Sequence, residues 1–229
     1  PAWWGWLLNA AGAVSGILGV LFALAQHDLK RLLAYHSVEN IGIITLGIGL
    51  GVLGVHHGSP AVAFLGFAGG LLHVINHALF KGLLFLSAGS VLHATGTREM
   101  DHLGGLLKRM PVTGLMFLVG SVAICGLPPL NGFVSEFMVY AGALTGIIPA
   151  AAGSAAPDLR LAGLAVVASL ALIGGLATAC FTKAFGIMFL GEPRTAHGGH
   201  ARDPGWAMSA AMAALASGCV AIGLSGPFA

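Results

Sequence analysis

The stretch His73-Val74-Ile75-Asn76-His77-Ala78-Leu79-Phe80-Lys81 lies inside an apolar run that extends from about residue 62 to residue 92. Such a run exceeds the ~20 residues a helix needs to cross the hydrocarbon core of a bilayer. Within it, His73, His77 and Lys81 recur at i, i+4 and i+8, which at ~100° per residue drift by only about 80° and so form one stripe along a helix. The stripe spans roughly 12 Å of depth at 1.5 Å per residue. Asn76 sits one step aside and can add a hydrogen bond. Lipid cannot solvate this row, so it must face the interior of a bundle or a water-filled path. The stretch therefore predicts an all-α, polytopic transmembrane helix bundle.

The rest of the chain agrees. Hydrophobic residues make up 57% of the 229 positions and charged residues only 8%, against roughly 25% charged in a soluble domain. The 36 glycines suit membrane helices, whose small residues let backbones approach closely. A net charge of +2 argues against a nucleic-acid partner, and no basic, aromatic-interleaved patch is present. Cys125, Cys180 and Cys219 are far apart in apolar runs and read as small buried hydrophobes, without disulfide or thiolate-metal spacing.

Six apolar stretches are expected to span the membrane, at about 3–25, 34–55, 62–92, 112–148, 161–190 and 206–226. The first follows no charged segment and reads as a span rather than a signal peptide. The start at Pro1 suggests a fragment of something longer. The connections after the first, third and fifth stretches hold Lys30, Arg31, Arg98, Lys108, Arg109, Arg194 and Arg202, whereas those after the second and fourth hold only Arg160. By the positive-inside rule the first set is expected on the cytoplasmic side, with both termini outward and Trp3, Trp4 and Trp6 at the outer interface.

The ionisable groups inside the spans are His36, Glu39, His73, His77, Lys81, Glu136 and Lys183. A charge at a helix centre costs about 2.5–3.5 kcal/mol on insertion scales, so each needs a reason. The stripe His73, His77, Lys81 reads as a proton relay, the plainer reading being a set of polar pins between helices. Lys183, close to the cytoplasmic end of its span, reads equally as a snorkelling side chain. His36 and Glu39 can share a face, with Asn40 beside them, as a proton entry point or an interfacial salt bridge. In the fourth stretch, Gly126-Leu127-Pro128-Pro129 removes two successive amide donors. The carbonyls of residues 123–125 then need other partners, and Gly132 loosens the next turn. A discontinuous helix is expected there, the kind transporters place beside their ion sites, and Glu136 follows about two turns later. Haem ligation and a metal at His197-Gly-Gly-His200 are both disfavoured, because the histidines lack suitable partners. There is no phosphate loop, nucleophile elbow or dinucleotide fingerprint.

Three strings carry a resemblance: Asp28-Leu-Lys-Arg-Leu-Leu-Ala-Tyr-His-Ser-Val-Glu-Asn-Ile-Gly42, Asn76-His-Ala-Leu-Phe-Lys-Gly-Leu-Leu-Phe-Leu86 and Gly126-Leu-Pro-Pro-Leu-Asn-Gly-Phe-Val-Ser-Glu136. They resemble the antiporter-like proton-channel subunits of respiratory complex I, Mrp cation/proton antiporters and membrane-bound hydrogenases. The Ser37-Val-Glu-Asn40 and Leu130-Asn-Gly-Phe-Val-Ser-Glu136 wording is most similar to the branch of hydrogenase-4 component B and formate hydrogenlyase. The resemblance implies a fourteen-helix subunit of two inverted five-helix repeats. Residues 1–192 would hold the second repeat (helices nine to thirteen) and 193–229 a loop and the final helix. Lys81 then falls on the central lysine of helix eleven, His73 and His77 on its preceding histidines, and Glu136 on the acidic or basic position of broken helix twelve. The first repeat's glutamate and lysine pair would be absent.

The implied function is proton translocation in a redox complex through His73, His77, Lys81 and Glu136, with His36, Glu39, Asn76 and Lys183 as accessory candidates. Two charges ~10 Å apart at an effective dielectric near 20 couple by about 1.7 kcal/mol, enough for one proton to steer another. An Mrp-type antiporter subunit and an inert membrane anchor are the alternatives. The resemblance assigns no cofactor and no redox chemistry to this chain. It implies partner subunits, membrane and peripheral, of an oxidoreductase complex, a lipid environment, and protons or sodium as the transported ion. The expected location is the cytoplasmic membrane of a bacterium or archaeon.

Overall fold

A computed structural model describes residues 1–148, 156–195 and 199–226. Among these, the chain forms seven helices: α1 (Ala2–Leu24), α2 (Leu29–His56), α3 (Pro60–Thr95), α4 (Pro111–Ile124), α5 (Asn131–Ile147), α6 (Pro157–Phe189) and α7 (Trp206–Ser225). The protein is a multi-pass membrane helix bundle. Helices α1, α2, α3, α6 and α7 are each long and apolar enough to cross a bilayer. Helices α4 and α5, of 14 and 17 residues, are not. They divide the fourth apolar stretch between them, and the break falls at residues 125–130. Most of the Pro149–Arg160 connection, and His197 of the His197/His200 pair, lie outside the described residues.

The helix ends follow from local chemistry. Pro60, Pro111 and Pro157 each open a helix, where a missing N–H costs nothing. Asp28 caps α2, accepting from the Arg31 amide at 3.0 Å. The N-terminus of α4 is capped from a distance. Asp203, on the approach to α7, accepts from the Val112 amide (3.1 Å), the Thr113 amide (2.9 Å) and the Thr113 hydroxyl (2.8 Å).

The break in the fourth span is closed on its first side by a Schellman motif. The Leu127 amide donates to the Val122 carbonyl at 3.3 Å and the Gly126 amide to Ala123 at 3.2 Å. Gly126 has φ +62°, the left-handed region that glycine enters without a Cβ penalty. Of the carbonyls expected to lose their partners, that of Ala123 is thus satisfied within the chain itself.

Close approach of backbones holds the bundle together. A Cβ on Gly42 of α2 would lie 2.6 Å from the Gly12 carbonyl oxygen of α1, so α1 and α2 touch main chain to main chain at that level. In a bilayer, where lipid tails are as apolar as leucine, such packing is the main source of association. Connections at one end are knitted together. Asp28 pairs with Arg98 at 3.0 Å, His27 with Asp101 at 2.6 Å and Lys108 with Glu192 at 2.5 Å. The Lys108 ammonium holds the exposed Glu192 carboxyl below the usual carboxylate range, chiefly through that hydrogen bond. Arg194 donates to the Leu103 carbonyl at 2.8 Å. The basic connections after α1, α3 and α6 therefore share one end of the bundle, as their charge pattern led one to expect.

Candidate functional site

Two apolar cores are stacked along the helix axes. One contains Leu29, Leu32 and Leu33 of α2, Phe80 to Val91 of α3, Phe117 of α4 and Ala177 to Phe189 of α6. The other contains Ile43 to Leu53 of α2, Val62 of α3, Val139 and Ala143 of α5 and Leu159 to Ile173 of α6. Between them, each of three helices carries its polar residues. These are His36, Glu39 and Asn40 on α2, His73 and Asn76 on α3, and Asn131, Ser135 and Glu136 on α5, all buried. A layer of hydrogen-bonding groups sandwiched between two greasy plugs must satisfy itself, since lipid offers no partners.

His73 is the crossing point of this layer. Its Nε2 donates to Asn40 Oδ1 on α2 at 3.0 Å, and its Nδ1 lies 2.8 Å from the Ser135 hydroxyl on α5. Asn40 is oriented by its own Nδ2, which donates to the His36 carbonyl at 2.7 Å. Asn76 donates to the Asn131 carbonyl (2.8 Å) and to Ser135 Oγ (2.9 Å), and Asn131 returns a bond to Asn76 Oδ1 at 3.2 Å. One polar network thus ties α2, α3 and α5 at the same depth.

The charged groups flank the network. His36 and Glu39 form an enclosed pair on α2, 0% and 1% exposed, which places them within the layer and not at a wet helix end. Glu39 Oε1 and His36 Nε2 are buried with no hydrogen-bond partner among the described residues. Lys81 reaches across from α3, its ammonium donating to the Leu33 carbonyl of α2 and standing 5.1 Å above the Phe85 ring. Glu39 interacts electrostatically with both Lys81 and Glu136. His77 is half-buried against Phe80, with Nε2 lacking a partner among the described residues. The buried face of α3 is centred on His73, Asn76 and Phe80, so Asn76 is a central member of the layer and His77 lies at its edge.

Glu136 rests against the break. A Cβ on Gly126 would meet its carboxylate, 2.7 Å from Cδ, so the left-handed glycine both ends α4 and leaves room for the acid. Pro128 and Pro129 keep the segment from closing into a helix, and Gly223 of α7 packs on Pro129 and Leu130 from the other side. Lys183 stands apart. It donates to the Leu24 and Gln26 carbonyls at 2.8 and 3.2 Å, terminating α1 from a neighbouring helix.

Sequence reasoning missed Ser135 and Asn131 and left Asn40 at the margin. The available signal was the i, i+4 spacing of Asn131 and Ser135 just after a helix break, with Ser135 adjoining the buried acid. Neutral residues carry no insertion penalty large enough to mark them, so only their contacts reveal them. Chemically, the layer can hold, release and reorient protons on groups sheltered from lipid, with charged groups near enough to sense one another.

The transmembrane family of NADH:quinone oxidoreductase and Mrp antiporter subunits matches residues 2–152. The chain belongs to that family. Hydrogenase-4 component B of Escherichia coli (strain K12) is 45% identical over 98% of this chain and 33% of its own length. Formate hydrogenlyase subunit 3 of the same organism is 44% identical over 100% of this chain and 37% of its own. The chain therefore spans about a third of the length of the curated relatives it matches. Among solved structures, the Mrp complex from Dietzia sp. DQ12-45-1b superposes with a TM-score of 0.80 at 22% identity, covering 99% of this chain and 45% of that one, and so shares the antiporter-family fold.

Proposed function

We propose that this chain is part of a proton-translocating membrane subunit of a hydrogenase-type redox complex, with protons moving through the buried polar layer. The observation that carries this reading is the layer itself: His73 bridges α2 and α5 within it, Glu39 and Glu136 are buried in it beside a broken helix, and Lys81 is buried about two turns further along α3. Groups that merely pin helices need neither a buried lysine nor two buried carboxyls, and each such group is costly in a membrane. In the proposed relay His73 and His77 exchange protons with Lys81, Glu39 with His36 supplies the opposing charge, and Glu136 exchanges with the outer side through the break. Asn76 supports the network, and Lys183 has a structural part.

The hydrogenase reading is favoured over a cation/proton antiporter because relatives named for hydrogenase-4 and formate hydrogenlyase align with this chain end to end at high identity. On the same reading residues 1–192 correspond to the second antiporter-like repeat and 193–229 to a loop and final helix. The partners are the other membrane and peripheral subunits of the complex. The basic connections face the cytoplasm of a bacterial or archaeal cell, and Pro1 faces outward. Redox chemistry resides on those partners.

The test is Lys81→Ala in the full-length protein within its complex, with proton uptake by everted membrane vesicles measured per redox turnover. Uptake is expected to fall to roughly a tenth or less while assembly and turnover persist. Unchanged uptake per turnover would overturn the relay. Lost assembly at unchanged uptake per remaining complex would make the chain an anchor.

A further inference from the structure

The hydrogen-bond inventory around His73 leaves one hydroxyl with two places to point. Asn40 Nδ2 must face the His36 carbonyl, to which it donates at 2.7 Å, so its Oδ1 faces His73. An amide oxygen only accepts. His73 Nε2, 3.0 Å away, therefore carries hydrogen in every protonation state. The titrating nitrogen is Nδ1, and its neighbour is Ser135 Oγ at 2.8 Å.

Ser135 Oγ has one hydrogen and two lone pairs. One lone pair is taken by Asn76, whose Nδ2 donates at 2.9 Å. Asn76 is itself fixed by donating to the Asn131 carbonyl at 2.8 Å and accepting from Asn131 Nδ2 at 3.2 Å. The hydroxyl hydrogen has two acceptors in reach, His73 Nδ1 and the Gly132 carbonyl at 3.1 Å. When His73 is neutral, the hydroxyl donates to Nδ1. When His73 is charged, Nδ1–H donates to the second lone pair of Oγ, and the hydroxyl swings to Gly132. Every side-chain polar atom of His73, Asn76 and Ser135 except their spare lone pairs is paired in both states.

We propose that Ser135 is a positioning residue whose hydroxyl rotor lets buried His73 change charge without leaving an unpaired group, and passes that change to the first turn of α5. This role rests on the proposed proton pathway and adds a residue to it. The serine is a switch and not a wire, because a carbonyl cannot hand a proton onward. Its output is local. The carbonyl of Gly132 accepts the Glu136 amide in the α-helical ladder, so a proton on His73 adds a second donor to the turn that holds Glu136. Other titratable groups in the layer around His73 are His36 and Glu39 on α2, His77 and Lys81 on α3 and Glu136 on α5. None of these has a hydrogen bond to either ring nitrogen of His73.

The test uses the full-length protein labelled with 15N-histidine in lipid, with His73→Gln as the subtraction blank and solid-state nitrogen spectra as the readout. Neutral wild-type His73 is expected as the Nε2–H tautomer. At a fixed pH where wild type is partly charged, Ser135→Ala should lower the charged-to-neutral ratio of His73 roughly tenfold, the difference between a hydrogen bond lost by the charged ring and a weaker one lost by the neutral ring, and Ser135→Thr should restore it. A neutral Nδ1–H tautomer in the wild type would overturn the proposal without any variant. So would an unchanged charged fraction in Ser135→Ala. Failure of the proton relay would show instead as unchanged uptake in Lys81→Ala, a measurement that leaves the tautomer of His73 untouched.

Discussion

Replacing Gly126 by alanine probes the break and the acid behind it at once. Two penalties follow from the geometry. The residue has φ +62°, and a non-glycine residue in the left-handed region costs about 1–2 kcal/mol. In addition the new Cβ would lie 2.7 Å from Glu136 Cδ and 2.8 Å from Oε1, closer than side-chain carbons approach other heavy atoms, so the carboxylate must shift. Gly96 separates the two effects, having φ +72° with nothing within 4 Å of a Cβ. Gly96→Ala should therefore carry the backbone penalty alone. Both variants are expected to lower thermal stability by similar amounts in detergent, with Gly126→Ala somewhat the worse. Proton uptake per redox turnover should stay near wild type in Gly96→Ala and fall by about tenfold or more in Gly126→Ala, as misplaced reacting groups do. Adding Glu136→Asp to Gly126→Ala shortens the acid by one methylene and should recover part of the stability lost, a non-additivity expected of groups in contact. Equal transport in Gly96→Ala and Gly126→Ala would refute the reasoning, for it would mean that the position of the Glu136 carboxylate does not matter.

Asp203→Ala removes three hydrogen bonds from the start of α4 and should cost about 1–3 kcal/mol of stability, read as a lowered melting midpoint at unchanged uptake per assembled complex. Lys183→Met keeps the apolar stem but withdraws the donor from Leu24 and Gln26; thermal stability should drop while transport persists, and a transport loss at full stability would move Lys183 into the relay. Glu39→Gln is nearly isosteric and deletes the charge that Lys81 and Glu136 both sense. A pair of charges ~10 Å apart at an effective dielectric near 20 is worth about 1.7 kcal/mol, so vesicle proton uptake should fall by about tenfold or more without loss of assembly.

How much could be read in advance is clearest at particular residues. Lys81 and Glu136 announce themselves, because a charge in an apolar run carries a penalty visible in the sequence. Gly126 and the two prolines announce the break for a similar reason: the helix cannot continue without donors. Ser135 and Asn131 make no such mark. Their importance comes from where α5 restarts and which face it turns toward α3, and that rotation is set by the packing of Gly69 on the Ser135 carbonyl and Val139. Lys183 shows the converse. It is as conspicuous as Lys81 in the sequence, yet its ammonium ends on the carbonyls of Leu24, the last residue of α1, and of Gln26 just beyond it.

The membrane class, the six apolar stretches, the common end of the basic connections and the site of the break were all legible along the linear chain. Each of these depends on a local quantity, hydrophobic length, loop charge or missing amide donors, that needs no knowledge of neighbours. Which polar groups meet depends on how the helices pack. That packing drew His36 and Glu39 into the layer, put Asn76 at its centre and His77 at its edge, and set the Ser135 hydroxyl between His73 and the turn that carries Glu136. Hydrogen bonds act over about 3 Å, and only the close glycine-mediated packing of α1, α2, α3 and α5 fixes distances between helices to that precision.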